Sequence, residues 1–228
     1  MSNMTGASVL TWIFALAALF ALWNWRLRAS ATRRLLALGF ETCPGEEAAL
    51  AATLSALCAA TGTRMQVRVT SALRRTAGAG ALHHFDVHDE TPRDTAHSDR
   101  GHVSPSWPAY LLDLRDASTL HRAPVAIHLA KSDSRVFREV LRNLISLSER
   151  GAELERSPHA WSANVIAAYG AVPAKIDDVV PPALQEKIVR AAEHGFDAVH
   201  LANGKAAFCV LPGKRDVERE WAYLSQWC

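Results

Sequence analysis

From Ala7 to Trp25 the chain reads ASVLTWIFALAALFALWNW, nineteen consecutive residues without a charge, and this run limits the fold more than anything after it. Only Ser8, Thr11 and Asn24 interrupt it with clearly polar side chains. As a helix rising ~1.5 Å per residue it is ~28 Å long, close to the ~30 Å hydrocarbon layer of a bilayer. Val9, Leu10, Ile13, Phe14, Leu16, Leu19, Phe20 and Leu22 each favour insertion by ~0.3–0.6 kcal/mol, which sums to about 2–5 kcal/mol. A buried soluble helix would be shorter and would carry a polar face. The run therefore predicts a single transmembrane helix.

Its flanks give it a direction. Arg26, Arg28, Arg33 and Arg34 follow it directly, and the first acidic residue is Glu41. The positive-inside rule then puts the N-terminus outside and everything after the helix in the cytosol, at the cell (inner) membrane. Ala29-Ser30-Ala31 has the form of a signal-peptidase site, but the positive segment that should precede the apolar run is missing, which argues for an uncleaved anchor. Trp23 and Trp25 suit the interfacial aromatic belt. With Arg26, Arg28, Arg33 and Arg34 they form the expected membrane-interface set, each arginine contributing about 1 kcal/mol against anionic headgroups. The expected organisation is an anchor over residues 1–28, a basic juxtamembrane linker over 29–45 and a cytosolic domain over 46–228.

The remainder of the 228 residues is the size of one domain, and 49% of the chain is hydrophobic, enough for a real core. The net charge is +2, which the four arginines after the anchor more than account for, so the body is not a basic nucleic-acid binder. Cys43, Cys58, Cys209 and Cys228 are scattered without a CxxC spacing, as expected of reduced cytosolic thiols.

Periodicity predicts a helix over Glu46 to Ala60, with Leu50, Leu54, Leu57 and Cys58 inward, and then a strand in which Met65, Val67, Val69, Ser71 and Leu73 share a face. Leu82 to His88 reads as its hairpin partner, Asp89 to Trp107 as a long loop, and Tyr110 to Arg115 and Val125 to Ala130 as two more strands. Helices are expected over Ser134 to Arg150, over Ser157 to Gly170 with Trp161, Val165 and Tyr169 inward, and from Pro181-Pro182 to Gly195. Asn203-Gly204 predicts a type I′ hairpin whose register sets Val199, Leu201, Ala206 and Phe208 on one face. A last amphipathic helix carries Val217, Trp221, Leu224 and Trp227. Hairpins interrupted by groups of helices indicate an α+β domain with a largely antiparallel sheet and four to five helices.

Two constellations carry candidate chemistry. His83, His84, His88, His97 and His102 form a histidine cluster, within which His84, Asp86 and His88 would project from one strand face as a metal site. His200 and Cys209 are diagonal neighbours on one face of the predicted hairpin, an arrangement in which imidazole could activate a thiol as a catalytic nucleophile, though no third group to orient the imidazole is identifiable. Polar strand faces and a helix-covered surface explain both sets without chemistry. Gly204-Lys205 and Gly213-Lys214 lack the spacing of a phosphate loop, and no cofactor is implied. The expected function is a membrane-anchored interaction or scaffolding module whose partners are the bilayer and another membrane or cytosolic protein. A membrane-tethered enzyme using either constellation is the alternative.

Overall fold

The fold is that of a computed structural model describing residues 6–63, 65–77, 80–90, 106–114, 123–130, 138–139, 141–142, 145, 149, 151–211 and 215–227, except for the side chains of residues 6–10, 20, 24 and 77. Its elements in chain order are α1 (Gly6–Ala37), β1 (Glu41–Thr42), α2 (Glu47–Ala60), β2 (Val67–Ala77), β3 (Gly80–Asp89), β4 (Ser106–Asp113), β5 (Val125–Leu129) and β6 (Ala152–Glu153). A 3-10 turn (Ala160–Asn164), β7 (Val165–Gly170), α3 (Ile176–Val179), α4 (Pro182–Glu193), β8 (Ala198–Ala202), β9 (Lys205–Cys209) and α5 (Val217–Leu224) follow. The nine strands form one sheet in the order β1-β2-β3-β4-β9-β8-β5-β7-β6, and every pair of neighbours is antiparallel. The domain is α+β, built on a large antiparallel sheet.

Both faces of the sheet are covered. The first face, with Leu82, Tyr110, Leu112, Ile127, Val199, Leu201 and Phe208, packs against the end of α1 and against α4 and α5. The second face, with Phe85, Val87, Ala109, Leu111 and Ala207, takes α2 through Leu50, Leu54, Leu57 and Cys58. Arg138, Glu139, Leu141, Arg142 and Ile145 are also helical, and Leu141 and Ile145 pack over Ala167 and Tyr169 farther along that face. The hairpin turn follows its sequence: Asn203 has φ 54° and Gly204 φ 71°, and Ala202 pairs with Lys205 and Val199 with Phe208.

Three expectations need correction or restriction. The segment expected to be a helix from Ser157 to Gly170 is a 3-10 turn followed by β7, all six residues of which are buried. A sequence covered on both sides has no polar face, so apolar residues at helical spacing cannot distinguish it from a helix. In β2, the register shifts between Thr70 and Leu73 and Ser71 has φ 57°. The bulge adds a residue and reverses the alternation, so Val69 faces α2 while Leu73 lies in the core on the other side. Among the described residues no helix is long and apolar enough to cross a membrane, seven of the positions of α1 before Arg26 having side chains outside that set.

The 32 residues of α1 have two different surroundings. Trp12, Phe14, Leu19 and Trp25 are 64, 70, 63 and 64% exposed, whereas Leu35 is wholly buried. At ~100° per residue, Trp12, Ile13, Phe14, Leu16, Leu19 and Leu22 are spread around the helix rather than gathered on one face, and each of them is exposed. The second part is fastened. Arg34 donates to Glu218 of α5, from Nε at 2.7 Å, and to the Arg215 carbonyl at 3.3 Å, while Arg28 donates to the Ser106 hydroxyl. Gly39, at φ 84°, ends the helix, and Phe40 packs edge-on against Trp221 at 5.6 Å.

Candidate functional site

The residues of β3 expected to bind metal do share a strand face, and their surroundings are known individually. His84 is buried and receives a hydrogen bond from Arg215 (Nη1 to Nε2, 3.0 Å). His88 Nε2 lies 2.9 Å from the Thr70 hydroxyl, and Asp86 is near enough to Arg215 to favour its charged form. Among the described residues no group of three His, Cys, Asp or Glu side chains is placed to hold a metal ion. His97 and His102 lie outside the described residues. His83 points to the opposite face, with Nε2 3.0 Å from Glu46.

His84 belongs to a buried network missed by reading the sequence. Arg215 donates through Nη2 to the Tyr110 hydroxyl at 3.0 Å and pairs with Glu220, with Nε 3.1 Å from Oε1. Tyr110 in turn donates to Glu220 Oε2 at 2.8 Å. The two charged side chains are 9 and 2% exposed. Burial, and then the neighbouring guanidinium, hold the His84 imidazole well below its usual range, so it accepts from Arg215 as the neutral ring. The network joins β3 and β4 to α5, and through Arg34 to α1. A signal was available: Glu220 falls on the stripe of Val217 and Leu224, where a charge implies a buried partner.

His200 and Cys209 stand on the same face, as the hairpin register predicts: His200 is opposite Ala207 and Cys209 opposite Ala198. The sequence offered no orienting group, but one lies nearby in space. The His128 ring, on the adjacent β5, is edge-on to His200 with centroids 6.0 Å apart, and its Nε2 is 3.0 Å from Glu149, which also accepts from the Thr63 hydroxyl. Burial alone would raise the Glu149 carboxyl; the hydrogen bond and charge of His128 outweigh it and hold the group below its usual value. Burial, with His128 next, pulls His200 down to about 4. His200 Nδ1 has no partner among the described residues.

Burial also pushes the Cys209 thiol up to about 12, the reverse of what a nucleophile requires. Cys209 in the folded protein is therefore expected to react with iodoacetamide at pH 7.5 more than tenfold slower than after unfolding in urea. Equal rates, followed by peptide mapping, would remove this argument.

Trp227 is 6% exposed and packs edge-on to Phe208, and Trp221 lies under the Arg75 guanidinium at 4.0 Å, so both hold the body together from within. At the end of the sheet away from Ser106, a cleft of about 240 Å³ is lined by Glu46, Thr53, His83, Asp113 and Lys205 among others. Its charges are already paired, Lys205 with Asp113 and Glu46 with Arg74 and His83. Arg26, Arg28 and Arg33 are exposed beside Trp23 and Trp25. Against known protein families, curated proteins and solved structures, the chain shows no significant match.

Proposed function

We propose that this protein is a single-pass membrane protein in which the first part of α1 is the anchor and the α+β body serves as an interaction or scaffolding module on the cytosolic side. The observation that carries the anchor reading is the exposure of the described large apolar side chains of α1 from Trp12 to Trp25, which ends where Leu35 enters the core. Such a surface is stable in hydrocarbon and a liability in water. The arginine flank and the two interfacial tryptophans support the orientation.

The interaction reading rests on how the charged groups are used. Arg215 is committed to Glu220 and His84, and Glu149 to His128, in two largely buried networks, as befits a rigid platform. A catalytic role for His200 would require substrate to pass a wall that leaves the residue 7% exposed. The test has two parts. The full chain is expected to resist extraction from membranes by alkaline carbonate, and a reporter fused after Cys228 to behave as cytosolic; release by carbonate ends the anchor reading. Crosslinking in intact membranes, followed by detergent solubilisation, should recover a specific protein partner, and recovery of the uncrosslinked chain alone would count against the module.

A further inference from the structure

The fastening of α1 decides how the body stands on the bilayer. From Arg28 to Leu38 the helix rises ~15 Å. Over that distance its contacts move from Ser106, opposite His88 in the β3–β4 register, to Arg75, opposite Leu82 in the β2–β3 register. The helix thus lies along the strands and leaves the body at one end of the sheet, the end where β3 finishes and β4 begins. Leu211 is at the same end: the neighbouring Val210 donates to the Pro108 carbonyl, and Leu211 is 57% exposed. Asp113 and Lys205 mark the opposite end, seven residues away along β4.

Trp25 precedes Arg28 by three residues, or ~4.5 Å of helix. The headgroup layer of one leaflet is about 5–8 Å thick. A body hinged by a flexible linker could sit anywhere within its reach, but α1 is an unbroken helix through Ala37, with Leu35 and Ala31 packed on the core and Arg34 bonded to α5. We propose that α1 is a rigid strut that seats the Ser106–Leu211 end of the sheet in the headgroup layer of the cytosolic leaflet, with Arg26 and Arg28 facing lipid phosphate and Leu211 entering the interface. This inference rests on the anchor reading and adds a fixed, end-on posture to it. At that end Arg26, Arg28 and Leu211 are exposed, while the carboxylates beside them have partners, Glu90 with Arg68 and Asp197 with the Leu211 N–H, so cations and an apolar side chain are left for an anionic lipid surface to meet.

The experiment uses the full chain, carrying Cys228→Ser and either Leu211→Cys or Asp113→Cys, labelled with an environment-sensitive fluorophore. Each protein is reconstituted into vesicles of phosphatidylcholine and phosphatidylserine containing a headgroup-nitroxide lipid as quencher. Quenching at position 211 is expected to be at least threefold that at 113. Breaking the strut with Arg34→Ala and Leu35→Asp together should reduce that ratio toward one while the protein stays on the vesicles. Equal quenching at the two positions in vesicle-bound protein with an intact strut overturns the end-on posture. Failure to float with the vesicles instead overturns the anchor reading, so the two failures are distinguishable.

Discussion

Replacing Glu220 with alanine is expected to destabilise the body by about 3–5 kcal/mol, the range for removing one partner of a buried ion pair. The reason lies in what remains. Arg215, its side chain 9% exposed, keeps only neutral hydrogen-bond partners in His84 and Tyr110, with Asp86 acting on it at longer range, and Tyr110 loses the carboxylate to which it donates. The neighbouring Arg34–Glu218 pair gives the contrast, its side chains being 41 and 49% exposed. Glu218→Ala should cost far less, because solvent already screens that pair. Urea unfolding of the detergent-solubilised chain measures both. With a slope of about 2 kcal/mol per molar, Glu220→Ala lowers the midpoint by roughly 2 M. Arg215→Met combined with Glu220→Leu should recover most of the loss, since no unpaired charge is then left in the core. A Glu220→Ala protein within 1 kcal/mol of the parent would show that the network does not hold α5 to the sheet.

What could be read from the sequence follows from how local each determinant is. Asn203-Gly204 specifies its turn by backbone conformation alone, and the register of Val199, Leu201, Ala206 and Phe208 follows from counting outward. The helices of α2 and α4 announce themselves by spacing, with Gly62 and Gly195 in left-handed conformations just past their ends. The bulge at Ser71 has no such signature, because a serine at positive φ is held there by neighbouring strands rather than by its own preference. β7 misled for a related reason: Val165, Ile166 and Tyr169 suit a strand, but a short apolar run buried on both faces has no period to report.

The polar networks were legible only as anomalies. Glu149 lies four residues after Ile145, on the apolar side of its segment, and His128 occupies a strand covered on both faces. Such residues signal that a buried partner exists without naming it. Pairing Glu149 with His128, or Arg215 with Glu220, requires knowing that β5 lies between β7 and β8 and that α5 folds back over β3 and β4. These are contacts between distant parts of the chain, and His84 shows the consequence: beside Asp86 and His88 in sequence it resembles a metal ligand, whereas in space it serves Arg215.

Acid should expose the buried histidines as a loss of stability. His200 titrates at about 4 in the folded protein and near the ordinary ~6.5 when unfolded. Between those values the unfolded chain binds a proton that the folded chain refuses, so stability rises with pH across the window. The contribution is intact above pH ~6.5 and declines as pH falls toward 4. At pH 5 the gap corresponds to about 2 kcal/mol, with His84 adding in the same direction because its folded value is also depressed. Among the described residues the charged or titratable groups that act on His200 are His128 and Glu149, with the Cys209 thiol on the same face, and the depressed Glu149 carboxyl loses its own contribution only at lower pH, below the ordinary carboxylate value. His200→Leu separates these causes. The residue has no partner at Nδ1 among the described residues and its cross-strand neighbours are Ala126 and Ala207, so an aliphatic side chain of similar size should fit with little loss at pH 7. In urea unfolding at pH 7 and pH 5 the parent is expected to lose about 2 kcal/mol more than His200→Leu. If the two lose equally, His200 is protonated as readily inside the fold as outside it. The wall over the alanine-lined face would then be open to water, and the closed platform inferred for this body would have to be abandoned.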